Sequence, residues 1–110
     1  MDEGISVDIT FGECQIGKGL KPLAQHGRVV VGKDGTIALY GTKGDLIDSS
    51  PLSEVTAKSM LVTGGQTVAL RMGDRKYNVT PGWGAAIPGF FNGVKAPRAL
   101  VTLVKNNGQH

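Results

Sequence analysis

The sequence predicts a mainly β protein, an antiparallel sandwich closed by one C-terminal amphipathic helix. Three observations predict it. Short apolar runs alternate at period two over much of the chain. Single glycines, 17 among 110 residues, separate these runs as tight turns separate strands. Apolar spacing switches to the helical i, i+3, i+4 pattern only near the end.

Each element follows in order. Ile5, Val7, Ile9 and Phe11 alternate with Ser6, Asp8 and Thr10, so residues 1–11 hold a first strand or an N-terminal arm. Gly12 and the segment up to Gly27 break the pattern, with Leu20 and Leu23 placed over one end of a core. Residues 28–31 form a β-branched strand. Gly32-Lys33-Asp34-Gly35 then carries the Asp-Gly hairpin signal. Residues 36–40 return, 41–44 turn again, and 45–50 make the next strand. After Pro51, residues 52–62 read as a strand because Val55, Ala57, Ser59 and Leu61 alternate, with a helix as the alternative that Ser53, Glu54 and Ala57 tolerate. Residues 63–65 turn, and strands at 66–72 and 76–80 flank a turn at 73–75. Pro88 and Gly89 bar a long helix in 83–94. Residues 96–107 read as the capping helix, with a strand as the alternative because Val and Thr lower helix propensity. Pro97 lies in its first turn, Leu100, Leu103 and Val104 form its apolar stripe, and Lys105 sits near its C-terminal end. Such a helix covers an opening that strands cannot close themselves.

The bulk properties bound the function. The length fits one domain, 1–110, with a core of its own. Net charge is +3, and no dense Lys/Arg run marks a nucleic-acid arm. The lone Cys14 excludes an intrachain disulfide and reads as a buried thiol. No apolar run approaches the ~20 residues that span a bilayer. The acidic start MDEGISVDIT lacks the layout of a signal peptide. The expectation is a cytoplasmic chain or domain, with peripheral membrane contact as the other possibility.

No catalytic, cofactor or metal motif survives inspection. Gly12, Gly17 and Lys18 match part of a phosphate-binding loop, but Gly19 stands where the metal-binding hydroxyl belongs and Pro22 interrupts the helix that should follow. Cys14, His26 and His110 lack the repeated spacing of a zinc site, and Cys14 with His26 is a weak nucleophile–base pair. Asp34, Asp45, Asp48, Glu54 and Asp74 read mostly as turn residues. Asn78-Val79-Thr80 fits a glycosylation pattern by chance. Two sets remain as candidate binding features. Lys18, Lys21, Arg28, Lys33 and Lys43 form an anionic-ligand patch if their turns gather at one end. Trp83, Phe90 and Phe91 form either core beneath the helix or an apolar contact loop. Tyr40 and Tyr77 are the only strand aromatics, so nucleic acid ranks third.

The run GRVVVGKDGTIALYGTKGDLIDSSPLSEVTA, followed by QTVALRMGDRKYNVT, resembles the pleckstrin-homology-like (PH-like) superfold in its bacterial and GRAM-type forms. Residues 28–80 carry the resemblance, with the hairpin at Gly73 to Val79 and the helix at 96–107 as further matches. It implies a β-sandwich or partly open barrel, and a non-catalytic module that binds or scaffolds a protein partner. An anionic-lipid module is the alternative. Residues 12–27 and 81–95 depart from the family pattern, and no phosphoinositide signature is present on the first hairpin. Pro51-Leu52-Ser53-Glu54 reads as the corner between two sheets: no base is placed for Ser53, while Leu52 and Val55 face the core.

Overall fold

The computed structural model describes residues 8–60, 67–81 and 100–105. Among them it is mainly β. A seven-stranded antiparallel sheet contains β1 (Ile9–Lys18), β2 (Lys21–Val31), β3 (Thr36–Tyr40), β4 (Leu46–Pro51), β5 (Val55–Ser59), β6 (Val68–Met72) and β7 (Arg75–Thr80). Their order across the sheet is β4-β3-β2-β1-β7-β6-β5. A helix, α1, occupies residues 100–105.

The β2–β3 and β3–β4 hairpins follow the sequence reading closely. Both loops use one hydrogen-bond pattern. Gly32 N–H donates to Thr36 O and Gly35 N–H to Gly32 O; Gly41 N–H donates to Asp45 O and Gly44 N–H to Gly41 O. Gly35 and Gly44 take φ of 87° and 86°, which only glycine adopts without strain. Each loop is therefore a β-turn followed by a left-handed glycine, a common short hairpin connection.

Residues 12–27 differ from expectation. They are not an irregular connection but the outer halves of β1 and β2. Their lost alternation comes from bulges. β1 pairs Phe11 with Val29 and then Cys14 with Gly27, while β2 takes an extra residue between Ala24 and Gly27. An extra residue flips side-chain parity. The buried positions of β1 accordingly run Ile9, Phe11, then Cys14, Ile16. Period-two reading fails across a bulge even though the strand continues.

The sheet curls, and the Pro51-Leu52-Ser53-Glu54 tetrad marks where. β4 and β5 are opposite edges of the sheet, yet only Leu52–Glu54, a 3-10 turn, separates them in the chain. Seven flat strands at ~4.8 Å spacing would set the edges roughly 29 Å apart. Pro51 to Val55 can span at most about 14 Å. The sheet must therefore bend round until its edges approach. Residues 52–54 are thus a turn, not the start of the strand expected over 52–62, because Pro51 has no N–H and Leu52 must turn inward. Leu52 is 1% exposed. Its N–H donates to Gly35 O, and Glu54 O accepts from Gly73 N–H, so the corner is tied to two other turns.

The core lies inside this curl. Phe11, Val29, Val31, Ile37, Leu39, Val55, Val68, Leu70, Met72 and Val79 are buried in it. Leu100 and Val104 of α1 join them, with Val101 and Leu103 partly buried against the cluster. The expected stripe of Leu100, Leu103 and Val104 therefore faces the core.

Candidate functional site

Among the described residues, three groups of side chains stand at the border of the apolar core. The first is the end of the β1–β2 hairpin. Its last ladder pair sets Lys18 directly opposite Lys21, with Gly19 and Leu20 as the turn. Leu20 was expected over the core; it is instead 103% exposed. The reason is position: beyond the last pair it has no strand neighbour on either side. Leu23, further back on β2, is partly buried against the core as expected. Asn78 on β7 donates its side-chain amide to Gly19 O at 3.3 Å and so holds the loop end against the second half of the sheet. Beside the loop end lies an open cleft of ≈ 370 Å³. Ile16, Ala24 and Met60 supply apolar wall, and Gln15, Thr67 and Thr80 supply polar wall. The Thr67 and Thr80 hydroxyls share a hydrogen bond at 2.8 Å.

The second group sits at the β1 bulge. Glu13 is the one non-glycine residue with positive φ among the described residues, at 51°. The bulge turns its carboxylate onto His26 Nδ1, 2.8 Å away. Both side chains are more than half exposed. Arg28, Thr42 and Lys43 line the same depression. The Thr42 hydroxyl accepts the Gln25 and His26 N–H groups, which joins the β3–β4 turn to β2.

The third group ties β4 to β7, two strands that are not neighbours in the sheet. Asp48 on β4 accepts from Arg75 Nε and, at 3.1 Å, from Arg75 Nη2. It also accepts from the Tyr77 hydroxyl at 2.7 Å. Burial pushes the Asp48 carboxyl upward, but the hydrogen bonds from Arg75, Tyr77 and the Ser49 N–H outweigh it and hold it below its ordinary value. Burial, then the adjacent carboxylate, pushes the Tyr77 phenol up. Ser49 N–H is satisfied by Asp48 Oδ1, and Pro51, two residues on, has no N–H. The outer edge of β4 is thereby blunted against pairing with another strand.

The five basic residues do not gather as one patch. Lys18 and Lys21 share the β1–β2 loop end. Arg28, stacked at 5.4 Å over the Tyr40 ring, lies with Lys43 at the bulge depression. Lys33 occupies the β2–β3 turn at the other end of β2, its N–H bound to Asp8. Trp83, Phe90 and Phe91 lie outside the described residues. Cys14 is buried with its thiol on Phe11 O at 3.0 Å, whereas His26 engages Glu13 at the surface. The two do not form a nucleophile–base pair. No cluster of three potential metal ligands occurs among the described residues.

Sequence reasoning passed over Asp48, Arg75 and Tyr77 as a unit, as it did Glu13 with His26. A carboxylate inside a short strand was the available signal, since such a group needs a partner. The partner stands 27 residues away on a strand that is not adjacent in the sheet.

Among the described residues no helix is long and apolar enough to cross a membrane. Comparison with protein-family models, curated proteins and solved structures finds no match.

Proposed function

We propose that the chain is a non-catalytic interaction module of the PH-like, bacterial type, cytoplasmic, which presents its β1–β2 loop end to a partner protein. The carrying observation is Leu20, a fully exposed leucine held out on a braced turn beside a partly apolar cleft. An exposed leucine alone is unremarked on protein surfaces. Here it stands at the tip of a long hairpin, next to a concave surface, which is the arrangement of a contact point. The curled open sheet and the apolar stripe of α1 on the core agree with the partly open barrel and terminal helix that the PH-like resemblance implies.

A peripheral anionic-membrane module is the second reading, favoured by Lys18 and Lys21 flanking Leu20. Two lysines near an anionic surface contribute about 1 kcal/mol each. Burying one leucine contributes about 2 kcal/mol. Together these correspond to a dissociation constant near the millimolar range. That is too weak for stable attachment through this tip, and the protein-partner reading is preferred.

The test compares the wild-type chain with Leu20→Asp as bait in affinity capture, followed by direct binding of each purified candidate. We expect a partner whose binding Leu20→Asp abolishes while the fold is unchanged by circular dichroism. Partners that bind both chains equally would remove the loop end from the reading. In parallel, sedimentation with phosphatidylserine vesicles at physiological salt should show no binding. Salt-sensitive binding lost in Lys18→Glu with Lys21→Glu would establish the membrane reading instead.

A further inference from the structure

The outward face of β5, β6 and β7 is basic. Alternation buries one side of each strand and leaves Thr56 and Lys58, Ala69 and Arg71, and Lys76 and Asn78 on the other. The ladder sets Thr56 opposite Arg71 and Arg71 opposite Lys76, with Lys58 two residues along β5, opposite Ala69. Three cations thus hold neighbouring positions of one face, on strands ~4.8 Å apart. Arg71 and Lys76 are like charges directly opposite, an unfavourable cross-strand pair. Among the described residues Lys58 and Lys76 make no hydrogen bond or ion pair, and Arg71 donates to a neutral group, the Gly73 carbonyl, at 3.0 Å. Every carboxylate residue except Asp2 and Glu3 is described, and none of those described lies among these positions. Glu54 and Asp74 stand at the margin of the face, where Glu54 O accepts from Gly73 N–H and Asp74 lies 3.6 Å from Arg75. Where a sequence breaks a local rule with no compensating contact in the free protein, the compensation is sought in a bound partner.

From this we infer that the outward face of β5–β7 binds a cluster of carboxylates on a protein partner, spaced to meet Arg71 with Lys76 and, diagonally, Lys58. Charge complementarity selects an anionic occupant. Two features select a protein among anions. The face offers no ring for base stacking, because Tyr77, the one aromatic of these three strands, is buried. Glu54 and Asp74 at its margin repel a polyanion that runs on past it, such as a duplex backbone or a lipid surface, whereas a protein's carboxylate cluster ends before reaching them. The small side chain of Ala69 leaves room between the cations for the partner to approach. Asn78 on the same face holds Gly19 O, so the basic face runs on to the β1–β2 loop end. The inference takes its class of partner from the protein-partner reading above, but it does not depend on Leu20.

The experiment pans a displayed library of short random peptides against the full chain. Enriched peptides are then synthesised and titrated by calorimetry against wild type, Lys58→Glu with Lys76→Glu, Leu20→Asp, and Asp2→Asn with Glu3→Gln. Circular dichroism checks each variant for the unchanged fold, and neither Lys58 nor Lys76 makes a contact whose loss would disturb it. Duplex DNA and phosphatidylserine vesicles are titrated in parallel at physiological salt. We expect enriched peptides to carry clustered Asp or Glu and to bind wild type and Leu20→Asp alike. Binding should weaken at least about tenfold on the double lysine reversal, and likewise on raising salt. No enrichment, enriched peptides without carboxylates, or binding indifferent to the lysine reversal would overturn the inference. Binding lost on Leu20→Asp but not on the lysine reversal would overturn it and leave the loop-end reading standing. Duplex or vesicle binding that the lysine reversal abolishes would assign the face to a polyanion instead. Peptide binding that emerges only with Asp2→Asn and Glu3→Gln would assign it to the chain's own first residues, and either result would overturn the inference.

Discussion

Gly27 offers a sharp test of the β1–β2 geometry. It lies on β2 opposite Cys14, where the bulges bring three elements together. A Cβ built at this position would collide with the Tyr40 carbonyl oxygen, and would stand 3.0 Å from Ile16 Cδ1 and 3.1 Å from Ala24 Cβ. Two of these neighbours are core side chains, and the third is backbone in the adjoining strand. A carbonyl held in the β2–β3 ladder cannot rotate away, so Gly27→Ala must separate the strands locally. Overpacking of this kind costs about 1–3 kcal/mol, and a backbone clash belongs near the upper end. Strand propensity acts oppositely, since glycine within a strand costs roughly 0.5–1 kcal/mol relative to alanine. The expected net loss is about 2 kcal/mol. With an m-value of about 1–3 kcal/mol/M in urea, the unfolding midpoint should fall by about 1 M. Gly12→Ala is the control, because a Cβ there meets nothing within 4 Å. It should be neutral or gain up to ~1 kcal/mol. A Gly27→Ala chain as stable as wild type would refute the packing of β2 against β3 at this point, whatever Gly12→Ala does.

The remaining predictions concern the corner, the Asp48 network and the thiol. Leu52→Ala should cost about 2–5 kcal/mol in urea unfolding, as expected for a leucine buried at the link between two sheet edges, while the exposed Ser53→Ala changes nothing measurable; a loss below ~1 kcal/mol for Leu52→Ala would contradict the corner role. The folded-state pKa of Asp48 lies below its ordinary value of 3.8, so its contribution is complete above that value and is lost as pH falls through the folded value. Asp48→Asn should flatten the acid limb of stability against pH, while Asp34, lowered by its Thr36 hydrogen bonds, still contributes to it; an unchanged acid limb would exclude the Asp48–Arg75–Tyr77 network. Tyr77 acts at the alkaline end, where its raised pKa means stability is lost from pH 10.0 upward through the folded value, and Tyr77→Phe should remove that loss. Cys14 should react with a thiol reagent only at the rate of unfolding or local opening, and prompt labelling of the native chain would show that it does not face the core.

The legible parts of the fold were those with local causes. The loops Gly32–Gly35 and Gly41–Gly44 announce themselves because left-handed glycines and Asp residues specify a turn within a few positions. The stripe Leu100, Leu103, Val104 was equally readable, since helical spacing puts its members on one face whatever they pack against. Residues 12–27 were illegible for the converse reason. A bulge changes parity, so the alternation that identifies a strand is erased while the strand persists. The site was readable only in its parts. Lys18 and Lys21 stood out by charge, but their opposition across a hairpin depended on a register that the sequence does not display. Leu20 reads as a core residue because its turn, and with it the lack of strand neighbours, is not evident from spacing.

By itself, the sequence determined the mainly β class, the β2–β3–β4 meander, the turn at Pro51 and the apolar face of the terminal helix. Each follows from propensity and spacing within about ten residues. Only the tertiary structure decided that β1 and β2 run through their bulges, that the sheet curls to bring β4 toward β5, that Asp48 meets Arg75 and Tyr77, and that Leu20 stands clear of the core. These depend on which distant segments pair and in what register. That is set by burying the whole core at once, a property no short window of residues contains.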